Sequence, residues 1–228
     1  MNFLIIFLIL CFILFLFVLY SLSKDDFVIL RKDISMETIF NTAFMVSLIA
    51  LLMGRIFFIS LHPRPVFFSV LGFLLFPYFP GLSLIGGVLG GVFFLFLYAT
   101  YKKLPLGKFF DLFSLSFLFA LPFGSFFVLL LIQNSLKLYV AIEMILFLVV
   151  LLVFVKLILP LSNRGTIRDG SLGLSFISVF SLISIFGLLI KTGRFIYFDP
   201  EIAILLIVFA SSFLGLIVRE IKEKDSSK

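Results

Sequence analysis

Long, nearly unbroken apolar runs dominate the chain, and short polar segments separate them. Seven of these runs reach the length of about 20 residues that an α-helix needs to cross a bilayer. The runs cover residues 3–22, 39–61, 82–101, 110–132, 137–159, 171–190 and 200–218. The pattern predicts an all-α membrane protein with about seven transmembrane helices. We expect a single polytopic domain over residues 1–220 and a polar, disordered cytoplasmic tail over residues 221–228.

Two apolar segments need a separate interpretation. Residues 66–76 lie between prolines and, at about 11 residues, are too short to cross the bilayer, so an interfacial or re-entrant element is predicted. Residues 3–22 have the position of a signal peptide. No positive charge precedes them and no small-residue cleavage site follows, and this favours a retained membrane anchor.

The basic residues are distributed unevenly between the two sets of loops. Twelve lysines and arginines lie in the C-terminal tail and in loops one, three and five, whereas four lie on the opposite side. Because loops rich in these residues remain in the cytoplasm, the sequence predicts an N-terminus outside and a C-terminus in the cytoplasm. The net charge of +6 is then explained by cytoplasmic loops and anionic lipid, and no nucleic-acid partner is expected.

Composition excludes several kinds of site. The chain is 63% hydrophobic and 13% charged, whereas soluble domains are about one quarter charged. Cys11 is the single cysteine, which excludes an internal disulfide and a cysteine-based metal cluster. His62 stands in "LHPRPV" with no histidine, aspartate or glutamate nearby in sequence, so a solvated loop histidine is expected. No group of residues has metal-ligand spacing, and no cofactor is predicted.

Glycines are concentrated in the segment "GLSLIGGVLGG", Gly81–Gly91. Gly86 with Gly90, and Gly87 with Gly91, form two small-xxx-small pairs, which allow helix backbones to approach closely. No strand precedes the segment, so a dinucleotide-binding loop is excluded. The glycines by themselves favour helix packing over a chemical site.

The neighbouring segments resemble motifs of one membrane-enzyme family. "GLSLIGGVLGG" is similar to its Gly-x-Ser-Phe-His-Gly-Gly-x-x-Gly segment, and "YKKLPLGKFFDLF" to the basic loop and aspartate that follow. "DISMETIFNTAFMVSLIALLMGRIFF" resembles the second helix of the family, with Arg55 kept. "LKLYVAIEMILF" resembles its Gln-Leu-Tyr-Glu segment, with Tyr139 kept. From about residue 31 to residue 191 the chain resembles the prolipoprotein diacylglyceryl transferase family. The resemblance implies seven spans and a multi-pass location in a bacterial-type plasma (inner) membrane.

The resemblance also shows where the chemistry of the family has changed. The family transfers a diacylglyceryl group from phosphatidylglycerol to a lipobox cysteine, which needs a base for the thiol and positive charge for the phosphate. Ile85 stands at the family histidine, and Ser125 and Ser184 stand at family arginines. Loss of a general base costs ~100- to 10,000-fold in rate, and loss of the arginines removes electrostatic stabilisation of the departing phosphate.

The resemblance therefore predicts a divergent family member that keeps the fold and anionic-phospholipid binding. Catalysis is either lost or depends on a relocated base near Ile85, for which His62 is the candidate. The implied ligand is a membrane phospholipid, with phosphatidylglycerol as the species, and a membrane-protein partner stays open. The alternative is a non-catalytic membrane scaffold subunit or a small transporter.

The candidates for lipid binding are Arg55, Glu143, Tyr139, Gly86 and Gly87. Ionisable residues inside spans are functional candidates, and Arg55 and Glu143 lie at equal depth, about 9 Å from the predicted outer ends. They are expected either to pair or to leave Arg55 in contact with a lipid phosphate. The plainer alternative is an Arg55 that snorkels and a lone buried Glu143. Asp111 is expected to cap the start of its own span.

Overall fold

The computed structural model describes residues 2–69, 72–73, 81–132, 137–163, 165–192 and 199–226. These residues form helices and connecting turns, with no strand among them. The α-helices are α1 (Asn2–Ser23), α2 (Phe27–Arg31), α3 (Met36–Leu61), α4 (Leu84–Tyr101), α5 (Leu106–Leu131), α6 (Lys137–Val153), α7 (Leu159–Asn163), α8 (Ser171–Thr192) and α9 (Pro200–Ser226).

Among the described residues, seven helical segments are long and apolar enough to cross a membrane. They are Ile5–Ser23, Met36–Leu61, Leu84–Tyr101, Leu106–Leu131, Lys137–Ser162, Ser171–Lys191 and Pro200–Glu220. The predicted all-α class and the number of spans are confirmed. The orientation of the termini stays a prediction.

Capping residues explain why the helix boundaries differ from the hydropathy pattern. Ser35 is the N-cap of α3, and its Oγ accepts a hydrogen bond from the main-chain N–H of Thr38, so α3 begins before the apolar run. Asp26 caps the short helix α2 in the same way, through Val28 and Ile29. Hydropathy alone did not predict α2, because it is only one turn long and does not span.

A π-helical turn, Phe154–Ile158, joins α6 to α7. Pro160 lies two residues beyond this turn, and proline has no N–H to donate to the carbonyl four residues earlier. Within the turn, the N–H of Leu159 donates to the carbonyl of Phe154, five residues back. The span therefore continues through the proline.

The structure also bears on two other predictions. The tail was expected to be disordered from residue 221, but α9 continues to Ser226, and residues 227–228 lie outside the described residues. The predicted interfacial element over residues 66–76 overlaps a 3₁₀ turn, Pro65–Phe68. Part of that element, residues 70–71 and 74–76, lies outside the described residues.

The chain divides into two compact units. The first comprises Met1–Leu10 and Tyr20–Leu106, and its principal contact is between α3 and α4. The second comprises Cys11–Leu19 and Gly107–Lys228, in which α8 packs against both α9 and α6.

Several buried serine hydroxyls of the second unit have hydrogen-bond partners. Ser116 and Ser181 each donate to the carbonyl four residues earlier in their own helix, at 2.7 and 2.9 Å. Ser178 of α8 and Ser212 of α9 are 2.9 Å apart through their Oγ atoms and link the two helices. These contacts satisfy polar groups that hydrocarbon would not solvate.

Candidate functional site

The start of the glycine segment is fixed to the middle of α3. The N–H of Ser83 donates to the carbonyl of Gly54 at 3.0 Å. Ser83 is also the N-cap of α4, and its Oγ accepts from the N–H of Gly86 at 3.2 Å. A Cβ added at Gly54 would stand 3.0 Å from the Ser83 carbonyl oxygen, so glycine permits this close approach.

Arg55 lies beside this contact and is buried, with 3% of its surface exposed. Its Nη1 donates to the carbonyl of Gly81 at 2.7 Å, its Nη2 to Gly72 at 2.6 Å and its Nε to Phe73 at 3.2 Å. The guanidinium also lies 4.9 Å from the ring centroid of Phe67. Arg55 therefore connects α3 to Gly72 and Phe73, which precede residues 74–80, and to Gly81, which follows them.

The three acceptors of Arg55 are neutral carbonyls, so they orient its positive charge without cancelling it. Next to it, Ile56, Ile59, Phe67 and Phe73 line a largely apolar groove of about 510 Å³. An apolar groove beside a retained cation matches the two parts of an anionic lipid. Contact between lipid and Arg55 remains a prediction.

The glycines of α4 face α3. A Cβ at Gly86 would overlap the Cβ of Phe57, and one at Gly90 would overlap the Cβ of Met53. At Gly87 a Cβ would come within 3.3 Å of the Ala50 carbonyl oxygen. The segment "GLSLIGGVLGG" is therefore a helix-packing surface within the first unit, as its spacing indicated. Whether Gly86 and Gly87 also contact lipid stays a prediction.

The positions that the resemblance assigned to catalysis are distributed over three helices. Ile85 lies in the first turn of α4 and is 9% exposed. Ser125 lies near the end of α5 and is partly exposed, while Ser184 lies in α8 and is 7% exposed. No titratable side chain occupies any of the three positions. Ile85 belongs to the first unit, whereas Ser125 and Ser184 belong to the second.

Tyr139 and Glu143 are brought together one turn apart on α6. The Tyr139 hydroxyl lies close to the Glu143 carboxylate and interacts with it, and Lys191 lies close enough for a favourable charge interaction with Glu143. Gly187 of α8 faces this pair, because a Cβ there would be 3.0 Å from the Tyr139 ring. Glu143 thus has a partner in its own unit. Its predicted pairing with Arg55 stays a prediction.

Asp111 caps a different helix from the one that sequence predicted. It is 4% exposed, and its Oδ2 and Oδ1 accept from the main-chain N–H groups of Gly170 and Gly173 at 2.6 and 2.7 Å. Since α5 begins at Leu106, the carboxylate lies a turn inside its own helix and reaches the N-terminus of α8 instead. The glycines in "RDGSLG" were the only sequence signal for this contact.

His62 and the acidic residues do not form a metal centre in the part of the chain that the structure describes. No group of three or more His, Cys, Asp or Glu side chains is placed there to hold an ion. His62 is exposed and stacks on Phe58, with 5.0 Å between ring centroids.

Comparison with protein families matches residues 4–128 to prolipoprotein diacylglyceryl transferase. The match covers α1 to α5, including Arg55, the glycine segment and Ser125. The positions assigned to Tyr139 and Ser184 lie beyond it. Neither the curated proteins nor the solved structures gave a match. With more than half of the chain matched and seven apolar helices of spanning length, the protein belongs to the prolipoprotein diacylglyceryl transferase family.

Proposed function

We propose that this protein is a non-catalytic member of its family that binds an anionic phospholipid, with phosphatidylglycerol as the species, in a bacterial-type plasma membrane. The observation that carries the proposal is Ile85, a buried apolar side chain at the position of the family histidine. Isoleucine cannot accept the proton of a lipobox thiol. Ser125 and Ser184 add no positive charge for a departing phosphate.

Lipid binding is supported by Arg55 and by the groove next to it. The guanidinium keeps its charge because its partners are carbonyl oxygens. The groove offers Ile56, Ile59 and Phe67 to an acyl chain. A phosphate close to Arg55 would also lower the free-energy cost of a charge in the hydrocarbon, which is about 2.5–3.5 kcal/mol on insertion scales.

The loss of catalysis is tested with purified protein in phosphatidylglycerol liposomes. A fluorescent lipobox peptide is added, and transfer of a radiolabelled diacylglyceryl group is followed. We expect no transfer above a protein-free sample, while an active transferase of the family modifies the peptide under the same conditions. Transfer that His62→Ala abolishes would overturn the proposal, because His62 would then be a relocated base.

Phospholipid binding is tested by thermal stability in a neutral detergent. Added phosphatidylglycerol is expected to raise the unfolding temperature of the wild type. Ile56→Trp should weaken this effect, because residue 56 lines the groove and is 44% exposed, so the larger ring can fill the groove. Arg64→Gln removes an exposed arginine outside the groove and serves as the control. Equal stabilisation of all three proteins would contradict binding at this groove.

A membrane scaffold subunit is the second candidate. The glycine packing of α4 on α3 favours it, since the segment most suggestive of a site has a structural role. This candidate predicts co-purification of a stoichiometric membrane-protein partner and no lipid dependence in the experiment above. A transporter would instead show substrate uptake by proteoliposomes.

A further inference from the structure

A second groove, which has basic residues in its lining, lies in the second unit, where α8 begins and the spanning part of α9 ends. Its lining residues are Arg168, Leu174, Leu214, Gly215, Val218 and Arg219, and its volume is about 580 Å³. The spanning segments begin at Ser171 and end at Glu220. The groove therefore extends from the hydrocarbon to the level of lipid headgroups, on the side predicted to be cytoplasmic.

Arg219 is held in place by main-chain contacts. Its Nη2 donates to the carbonyl of Asp169. A Cβ at Gly170 would stand 3.0 Å from the guanidinium carbon, and one at Gly107 would stand 3.1 Å from Nη2. Both glycines leave room for the planar guanidinium, and Gly170 is also required by its φ of +94°.

One donor atom of the Arg219 guanidinium has no hydrogen-bond acceptor among the described residues. This atom is Nε, which is buried. Such a group normally has an acceptor, since a buried donor without one loses the hydrogen bond it would make in water.

Arg168 adds a second positive charge to the same groove. Its Nη1 donates to the main-chain carbonyl of Arg219 at 3.1 Å. Two carboxylates of this unit accept hydrogen bonds from other donors: Asp111 accepts from two N–H groups of the α8 N-terminus, and Glu220 accepts from the Ser171 hydroxyl at 2.5 Å. Among the described residues, the groove lining contains two guanidinium groups and no carboxylate.

The remaining lining residues are apolar. Leu174 of α8 and Leu214 and Val218 of α9 line the groove together with Gly215. A Cβ added at Gly215 would be 3.7 Å from the Leu174 methyl groups, which is ordinary van der Waals contact. A larger side chain at this position would extend into the groove.

We propose that this groove binds an anionic phospholipid, with its phosphate at Arg168 and Arg219 and an acyl chain along Leu174, Leu214 and Val218. Basic pockets between spanning helices on the cytoplasmic side select anionic lipids in this way. The site does not depend on the proposed function at Arg55, because its residues belong to the other unit and other helices.

The test compares lipid binding in nanodiscs by native mass spectrometry. The wild type is placed in phosphatidylcholine nanodiscs containing a minor fraction of phosphatidylglycerol with the same acyl chains. Arg168→Gln removes one charge, and Gly215→Leu fills the apolar part of the groove. Gly215→Ala and Arg31→Gln are the matched controls, since alanine fits at position 215 and Arg31 is an exposed arginine elsewhere on the predicted cytoplasmic side.

Arg168→Gln is expected to weaken retention of phosphatidylglycerol about five-fold, as expected for one basic residue near anionic lipid. Gly215→Leu should weaken it at least as much, and both controls should bind as the wild type does. Glycerol 3-phosphate added to detergent-solubilised protein separates a headgroup site from a lipid site. Binding of glycerol 3-phosphate as tight as that of the lipid, or equal retention by all variants, would overturn the proposal. Lipid lost in Ile56→Trp but unchanged in Arg168→Gln would place the lipid at Arg55 alone.

Discussion

Buried charged residues in this protein bind main-chain groups. Arg55 donates to three carbonyls, and Asp111 accepts from two N–H groups. Such partners are neutral, so each residue keeps its charge while its hydrogen-bonding capacity is used. These charges therefore contribute to the positioning of loops and helix ends.

Asp111→Asn tests this contribution. Asparagine keeps one acceptor oxygen but turns an amide N–H₂ toward one of the two donors, so the N–H of Gly170 or Gly173 is left unsatisfied. The unfolding free energy should fall by about 2 kcal/mol. It is measured by SDS titration in mixed micelles, followed by circular dichroism.

Asp25→Asn is the matched control for that measurement. The Asp25 side chain is 82% exposed and lies 3.8 Å from Lys24, and exposed pairs of this kind contribute little. Its effect should stay within about 0.5 kcal/mol. Equal losses in both variants would show that Asp111 has no special role.

The contrast between these residues also shows what the sequence could predict. Arg55 was identifiable because a charge inside an apolar run is unusual, and the family motif retains it. Its carbonyl partners could not be identified from the sequence, because they follow Arg55 by 17 to 26 positions and carry no side-chain signal. The partners of Asp111 are more distant still, 59 and 62 positions along the chain.

At the scale of elements, the pair α3 and α4 depends on the absence of side chains along one face of α4. Gly86 and Gly91 differ in how much room α3 leaves them. A Cβ at Gly86 would overlap Phe57 near its main chain, whereas one at Gly91 would lie 3.4 Å from the Ala50 Cβ. The same chemical change should therefore have different effects at the two positions.

Gly86→Ala is expected to destabilise the protein by about 1–3 kcal/mol, because α3 and α4 must move apart. Gly91→Ala should be neutral or slightly stabilising, since alanine favours a helix more than glycine does. SDS unfolding of the two variants side by side provides the measurement. Similar losses at both positions would contradict the packing seen between the helices.

At the scale of the whole molecule, the predicted orientation places the loop at Lys102 in the cytoplasm and Arg64 outside. Replacement of Cys11 removes the one native thiol, so single cysteines can be introduced at exposed positions 64 and 102. In intact cells an impermeant maleimide should label Arg64→Cys but not Lys102→Cys.

A reporter fused after Lys228 gives an independent check of this orientation. An enzyme that is active only in the cytoplasm should be active in the fusion. The reverse labelling pattern, with an inactive reporter, would show that the distribution of basic residues is misleading here.

Hydropathy predicted the seven spans because the bilayer imposes a length and a composition on each of them. Hydropathy did not predict the helix boundaries that single side chains determine. The cap at Ser35 makes α3 begin before its apolar run, and α9 continues beyond its apolar run to Ser226. The groove at Arg168 and Arg219 was missed, since both arginines were counted only toward orientation. Their contacts join residues about 50 positions apart.

The π-helical turn before Pro160 affects how this chain is compared with its relatives. A π-turn is equivalent to one residue inserted into a regular helix, and one residue corresponds to a rotation of about 100°. In a relative with an unbroken α-helix at this point, an ungapped alignment beyond residue 158 would equate side chains that face lipid with side chains that face protein. An alignment with such a relative should carry a one-residue gap at residues 154–158, and evolutionary couplings calculated without it would connect the wrong faces.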